Sequence, residues 1–107
     1  MQNDGFVLTA VLPQTIHPNE LTELRIEETQ LILSRVEGKV VAFTNRCPHS
    51  SAKFSEGEIS RHKLFCPDHG YCFDVRNGRI LYPADESYRL KRYEVRETDG
   101  QIWVKVI

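Results

Sequence analysis

The 107-residue chain predicts an all-β domain, on three observations. Short apolar segments rich in Val, Ile, Leu and aromatic residues recur along its whole length with turn signals between them. Three Gly-containing dipeptides, Glu37-Gly38, Asn77-Gly78 and Asp99-Gly100, each separate two such segments, and Asn, Asp and Gly accept the positive φ of tight hairpins. The composition, 40% hydrophobic and 27% charged, is that of an ordinary globular domain, which excludes disorder, collagen-like repeats and coiled coil. A chain of this mass buries roughly two thirds of its surface on folding, enough for a real core in one domain.

Taken in order, strands are predicted over Phe6 to Val11, Leu24 to Ile26, Leu31 to Val36, Val40 to Thr44, Leu64 to Phe65, Tyr71 to Val75, Arg79 to Leu81, Leu90 to Glu97 and Ile102 to Val106. Glu20 to Glu28 is ambiguous. Leu21 and Leu24 fit helical spacing, whereas Leu24 and Ile26 fit strand spacing, and the strand is preferred. The three Gly turns imply three antiparallel hairpins. No repeat or low-complexity tract occurs, yet residues 46–72 differ from their flanks: they hold three of the four His, all three Cys and two of the five Pro.

Charge excludes several function classes. Residues 1–46 sum to minus two, 47–83 to plus one and 84–107 to zero, so no basic footprint for nucleic acid exists. No apolar run approaches the 18 residues or so that a membrane span needs. The first residues lack the basic flank and apolar stretch of a signal peptide, making the cytoplasm the expected location. Three cysteines, an odd number, point to metal or reactive thiols rather than a disulfide scaffold.

The chemistry concentrates in Cys47-Pro48-His49 and Cys66-Pro67-Asp68-His69-Gly70, with sixteen residues between them. Each motif offers one thiol and one imidazole, and four such donors in two matched pairs predict a metal site. Pro after each Cys fixes φ and stiffens the loop before metal arrives. Gly70 lets backbone pass close to a bulky inorganic centre.

This arrangement resembles the Rieske [2Fe-2S] family, whose two loops read Cys-x-His and Cys-x-x-His. The resemblance, specifically to Rieske-type ferredoxins, extends to Arg46, to Ser55-Glu56-Gly57 and to His69 through Val75 running into Asn77-Gly78. It implies a fold of stacked antiparallel sheets. Residues 1–107 would form one domain, with a small cluster-binding subdomain at about 46–83 inserted in a β-sandwich base. It implies one [2Fe-2S] cluster per chain, with Cys47 and Cys66 on a deeper iron and His49 and His69 on an iron near the tip. Mixed ligation is a matter of charge. Two ferric ions, two sulfides and two thiolates sum to zero when both imidazoles are neutral, whereas four thiolates would leave minus two. Potentials accordingly rise from about −400 mV to roughly −150 to +300 mV.

High-potential members carry an extra Cys in each loop, joined as a disulfide, and Ser and Tyr hydroxyls beside the cluster. Here Ala52 and Asp68 stand at the disulfide positions, Tyr71 in place of that Ser and Phe73 in place of that Tyr. The low end of the range is therefore expected. Two residues depart from the ferredoxin pattern: Asp68 where Trp is usual and Ser51 where Gly is usual.

The remaining singled-out residues read more simply. Cys72 is a small buried or half-buried apolar residue on the opposite strand face from Tyr71 and Phe73. His17 and His62 lie in solvated turns. Tyr82-Pro83-Ala84 is placed as a third loop shielding the cluster, and Phe54 and Tyr71 as packing around it. The cationic run Arg89, Lys91, Arg92 and Arg96, interleaved with Glu94 and Glu97, reads as a solvated strand edge.

Neither His17 nor His62 has a partner in sequence for a second, catalytic iron, and no Gly-rich nucleotide fingerprint is present. The resemblance therefore implies an electron carrier, not an enzyme. It would take one electron from a ferredoxin reductase, a flavoprotein or iron-sulfur protein, and pass it to a terminal oxygenase by transient docking at the His49/His69 tip, with Lys53 and Asp68 as tip charges. Two alternatives stay open: an accessory Rieske-like subunit of a larger redox enzyme, and a zinc-stabilised binding module, since Zn²⁺ also takes two Cys and two His.

Overall fold

The computed structural model of the chain describes residues 4–106. Among them lie ten strands and no α-helix: Phe6–Leu8 (β1), Thr22–Ile26 (β2), Thr29–Val36 (β3), Lys39–Thr44 (β4), Glu58–Ser60 (β5), Lys63–Phe65 (β6), Cys72–Asp74 (β7), Ile80–Tyr82 (β8), Arg92–Thr98 (β9) and Gln101–Lys105 (β10). They form a six-stranded sheet in the order β1-β10-β9-β4-β3-β2 and a four-stranded sheet in the order β5-β6-β7-β8. All pairings between them are antiparallel.

The larger sheet is two three-stranded leaves joined by a short seam, because β4 and β9 share register only at Ala42↔Tyr93 and Phe43↔Arg92. The β3–β4 hairpin has apolar clusters on both faces. Leu31, Leu33, Val40 and Ala42 pack with Ile102 and Val104 of β10. Ile32, Val36 and Phe43 pack with Ile59, Leu64 and Phe73 of the four-stranded sheet and with Val75 just beyond β7. Burial on both faces explains why Leu31-Ile32-Leu33 reads as a continuous apolar run rather than an alternation.

The three Gly turns connect antiparallel partners as expected. Glu37 and Gly38 both have positive φ (53° and 82°), as do Asp99 and Gly100 (54° and 70°), the two-residue geometry whose twist matches the flanking strands. The ambiguous segment is strand β2, paired with β3 from Thr22↔Leu33 to Ile26↔Thr29.

Three expectations need correction. The first strand ends at Leu8 rather than Val11. The Thr9 hydroxyl donates to the Ile102 carbonyl (2.9 Å), and the chain passes into a 3-10 turn at Pro13–Thr15. Strand β5 was not predicted, because Ile59 is its one apolar residue. The cationic run ends on an interior strand, not an edge: β9 is paired on both sides. Tyr93 and Val95 pack on the core, while the Arg92 guanidinium donates to the Val75 carbonyl (2.9 Å) and Arg96 lies 4.1 Å from the Phe6 ring centroid and 3.0 Å from Asp4.

Candidate metal centre

Two loops project from the strand ends, and both are closed in the same way. In the first, the Cys47 N–H donates to the Ala52 carbonyl (2.9 Å); in the second, the Cys66 N–H donates to the Tyr71 carbonyl (2.7 Å). Each bond spans five residues, and in each loop the residue four after the Cys is left-handed: Ser51 at φ 66° and Gly70 at φ 68°. Ser51 therefore sits in a conformation that glycine adopts without steric cost, which accounts for glycine being usual there. Asn45, buried at the exit of β4, ties the first loop to its base. Its Oδ1 accepts from the Ser55 N–H (2.9 Å) and its amide nitrogen reaches the Ser55 hydroxyl (3.3 Å). Nothing in the sequence pattern singled out Asn45, whose role depends on a partner ten residues away.

The loops bring the four predicted residues together. Cys47 and Cys66 are each 2% exposed, while the His69 side chain is 70% exposed. His49 Nδ1 lies 3.8 Å from Cys47 Sγ, and His49 Nε2 lies 3.3 Å from His69 Nδ1. Donor atoms of Cys47, His49 and Cys66 lie within 4.8 Å of one another, and so, separately, do those of His49, Asp68 and His69. Thiols are thus inside and imidazoles outside.

Neighbouring groups complete the site. The Tyr71 ring lies flat on His49, with centroids 3.7 Å apart and planes 9° apart, and Tyr88 meets both rings edge-on at 6.0 and 6.2 Å. Tyr88 lies four residues beyond the expected shield Tyr82-Pro83-Ala84, and it is Tyr88 that meets the site. Burial, followed by the Glu86 carboxylate, pushes the Tyr71 phenol up. Beneath lie Phe54 and Phe73, edge to face at 5.9 Å and both fully buried. Ser50 Oγ stands 3.9 Å from Cys66 Sγ, so a hydroxyl of the first loop adjoins the sulfur of the second. The Asp68 N–H donates to the same sulfur (3.4 Å). Lys53, expected as a tip charge, pairs with Arg46 in a β-bridge beside the first loop and lines a groove with Glu23, Arg25 and Gln30.

These residues fit a dinuclear centre. Burial and the neighbouring Cys66 thiol push the Cys47 thiol up to about 11, so at neutral pH it is no free thiolate nucleophile; a bound cation is what would draw off its proton. A single tetrahedral zinc would require all four donors within about 4 Å of each other. His69 does not join the Cys47–His49–Cys66 group. Two sulfur donors at one side and two imidazoles at the other match two metal ions better than one. Cys72, buried in β7 with its thiol pushed up by that burial, stands apart from both donor groups.

Comparison with known proteins agrees. Residues 7–94 match the family model described as the Rieske [2Fe-2S] domain. The chain is 33% identical over 89 residues to the ferredoxin component of the naphthalene 1,2-dioxygenase system of Pseudomonas putida, covering 83% of this chain and 85% of that protein. It is 31% identical over 108 residues to methylxanthine N1-demethylase NdmA of Pseudomonas putida, covering 94% of this chain but 31% of that protein, so it spans about a third of that relative. Among solved structures, a chain in the complex of reduced oxygenase and oxidized ferredoxin in carbazole 1,9a-dioxygenase superposes with a TM-score of 0.82 at 25% identity, covering 96% of this chain and 94% of that one. Apo dicamba monooxygenase superposes at 0.78 with 30% identity, covering 94% of this chain and 32% of that one. The fold, the paired thiol and imidazole loops and the match over residues 7–94 place this chain in the Rieske [2Fe-2S] domain family, whose members carry one such cluster.

Proposed function

We propose that this chain is a one-electron carrier, receiving its electron from a flavin- or iron-sulfur-containing reductase and delivering it to a terminal oxygenase. The observation that carries the reading is two-sided coverage: the chain and the naphthalene dioxygenase ferredoxin component match over 83% and 85% of their lengths. Cys47 and Cys66 would hold one iron and His49 and His69 the other, with residues 46–83 acting as the cluster-binding subdomain of a single domain. When bound, the cluster takes up and releases single electrons without bonding a substrate.

The chain's own residues give that chemistry its direction. Cys47 and Cys66, buried among Phe54, Leu64 and Phe73, keep the sulfur side away from water. His69 opens the opposite side to a partner. Redox partners of this kind bury little area and separate quickly, so charge around the open side governs encounter rate more than affinity. No helix among the described residues is long and apolar enough to cross a membrane; the reading places the carrier in the cytoplasm with its partners.

An EPR-monitored redox titration of protein purified with little exposure to oxygen tests the reading. The expected result is a reduced-state signal with the low average g value of His-ligated [2Fe-2S] centres and a midpoint near the low end of the family range, about −150 mV. A colourless protein with one zinc per chain refutes it in favour of a binding module. A stable stoichiometric complex with a larger enzyme refutes free shuttling in favour of an accessory subunit. A second reading, a Rieske domain feeding a catalytic domain in one longer polypeptide, is favoured by the matches to a third of the demethylase and of dicamba monooxygenase. The size of the native product on an immunoblot separates the two.

A further inference from the structure

The two outer imidazoles have different neighbours. His49 is covered on one face by Tyr71, whereas no aromatic ring other than His49 itself, 5.3 Å away between centroids, approaches His69 among the described residues. What meets His69 is a carboxylate: Asp68 Oδ1 lies 3.4 Å from His69 Nε2, the nitrogen turned away from His49. Asp68 touches the site a second time through its backbone N–H on Cys66 Sγ. In the second loop it holds the position, two residues after the Cys, that His49 holds in the first.

A neutral imidazole carries one N–H, and an acceptor beside one nitrogen favours the tautomer that leaves the other nitrogen free to ligate. We propose that Asp68 is a positioning residue for His69: its carboxylate accepts the Nε2–H, fixes the ring with Nδ1 unprotonated, and opposes by its charge the negative charge that each electron adds to the site. The inference rests on the reading of His69 as a ligand. Both side chains are more than a third exposed (70% and 43%), so water screens the interaction and the effect is modest. About a threefold change in the reduction equilibrium is expected. At 59 mV per tenfold for one electron, that is about 28 mV.

The test uses the cluster-loaded protein and three variants. Asp68→Asn removes the charge and keeps an acceptor oxygen; Asp68→Ala removes both. Asp85→Asn removes a carboxylate from the third loop that touches neither histidine. The readouts are the midpoint potential at low salt and at about 0.5 M salt, and the nitrogen hyperfine couplings of the reduced state by pulsed EPR. Asp68→Asn and Asp68→Ala should both favour reduction about threefold, with most of the shift surviving high salt because the groups are in contact. The couplings of one nitrogen should change in Asp68→Ala and stay near the parent's in Asp68→Asn. Unchanged potentials in both variants, unchanged couplings in Asp68→Ala, or a shift that salt abolishes and Asp85→Asn reproduces, each overturns the proposal while the cluster signal remains. Absence of that signal in the parent protein overturns the ligand reading and this inference together.

Discussion

Replacing Gly57 by Ala tests whether the loop from Cys66 to Tyr71 is held by backbone contact. Gly57 has φ −98°, outside the left-handed region, so a positive φ is not what it supplies. Space is. A Cβ there would lie 2.1 Å from the Phe65 carbonyl oxygen and 3.1 Å from Pro67 Cδ, the two residues that flank Cys66. Contacts below 3.0 Å are essentially never seen, so one backbone must retreat by roughly 1 Å. Phe65 cannot move freely, because β6 pairs with β5 at Glu58↔Phe65 and with β7 at Phe65↔Cys72. Overpacking costs about 1 to 3 kcal/mol, and a neighbour fixed in a ladder places this case near the top. A loss of about 3 kcal/mol is a large share of the 5 to 15 kcal/mol typical of a domain, and corresponds to a Tm lower by roughly 10 to 20 °C. Thermal unfolding followed by far-UV circular dichroism, with iron per chain measured in parallel, reads both consequences. Gly38→Ala is the control: nothing lies within 4 Å of its Cβ, so its left-handed φ of 82° should cost about 1 kcal/mol and leave iron content intact. A Gly57→Ala protein melting within about 3 °C of the parent with full iron would refute the reasoning.

Two further predictions concern groups around the site. The Arg76 guanidinium, 2.9 Å from the buried Asp74, holds that carboxyl below the usual carboxylate range, so its contribution is complete above the unfolded carboxyl's value near 4 and disappears as pH falls through the lower folded value. Arg76→Leu should therefore lower the urea midpoint at pH 7 and lower it clearly less at pH 3.5; an equal loss at both would show that the pair's charge does not matter. Tyr71→Leu keeps an apolar cover over His49 but removes the flat stack, worth about 0.5 to 1.5 kcal/mol for aromatic pairs, so cluster absorbance should bleach about two- to tenfold faster in air-saturated buffer. Unchanged bleaching would mean that the stack does not protect the site.

What the sequence disclosed, and what it did not, follows from the range over which each signal acts. The thiol–imidazole motifs and hairpin turns are local: Cys-Pro-His, Asp99-Gly100 and the alternation of β10 are visible in a few consecutive residues. Strand β5 escaped notice because its pairing with β6 is made by backbone groups that a sequence pattern of Glu58-Ile59-Ser60 does not advertise. The interior position of β9 was equally hidden, since the seam to β4 is set by two residue pairs fifty positions apart. Asn45, Ser50 and Tyr88 act through contacts on other segments, and only the fold reveals those partners. Tyr71 lay between these extremes: its place beside the site was legible, its flat stacking on His49 was not.

The two loops share one closure but differ in what lies within it, and their histidines end up unlike. Each loop closes from its Cys N–H to the carbonyl five residues on and turns through a left-handed residue at the fourth position. Equivalent positions therefore face each other across the site, and the residue types at those positions decide what each ring meets. At the fifth position the second loop has Tyr71, which lies over His49, while the first has Ala52, too short to reach across to His69. At the second position the first loop has His49 itself; the second has Asp68, and its histidine comes one residue later, at φ 68°, where the ring stands clear of the core. One additional residue between Cys and His, within a loop of the same span, turns the second imidazole outward and puts a carboxylate beside it. The asymmetry that would make His69 the open side of an electron carrier thus goes with the difference between Cys-x-His and Cys-x-x-His and with the left-handed backbone at His69, which the first loop lacks at Ser50.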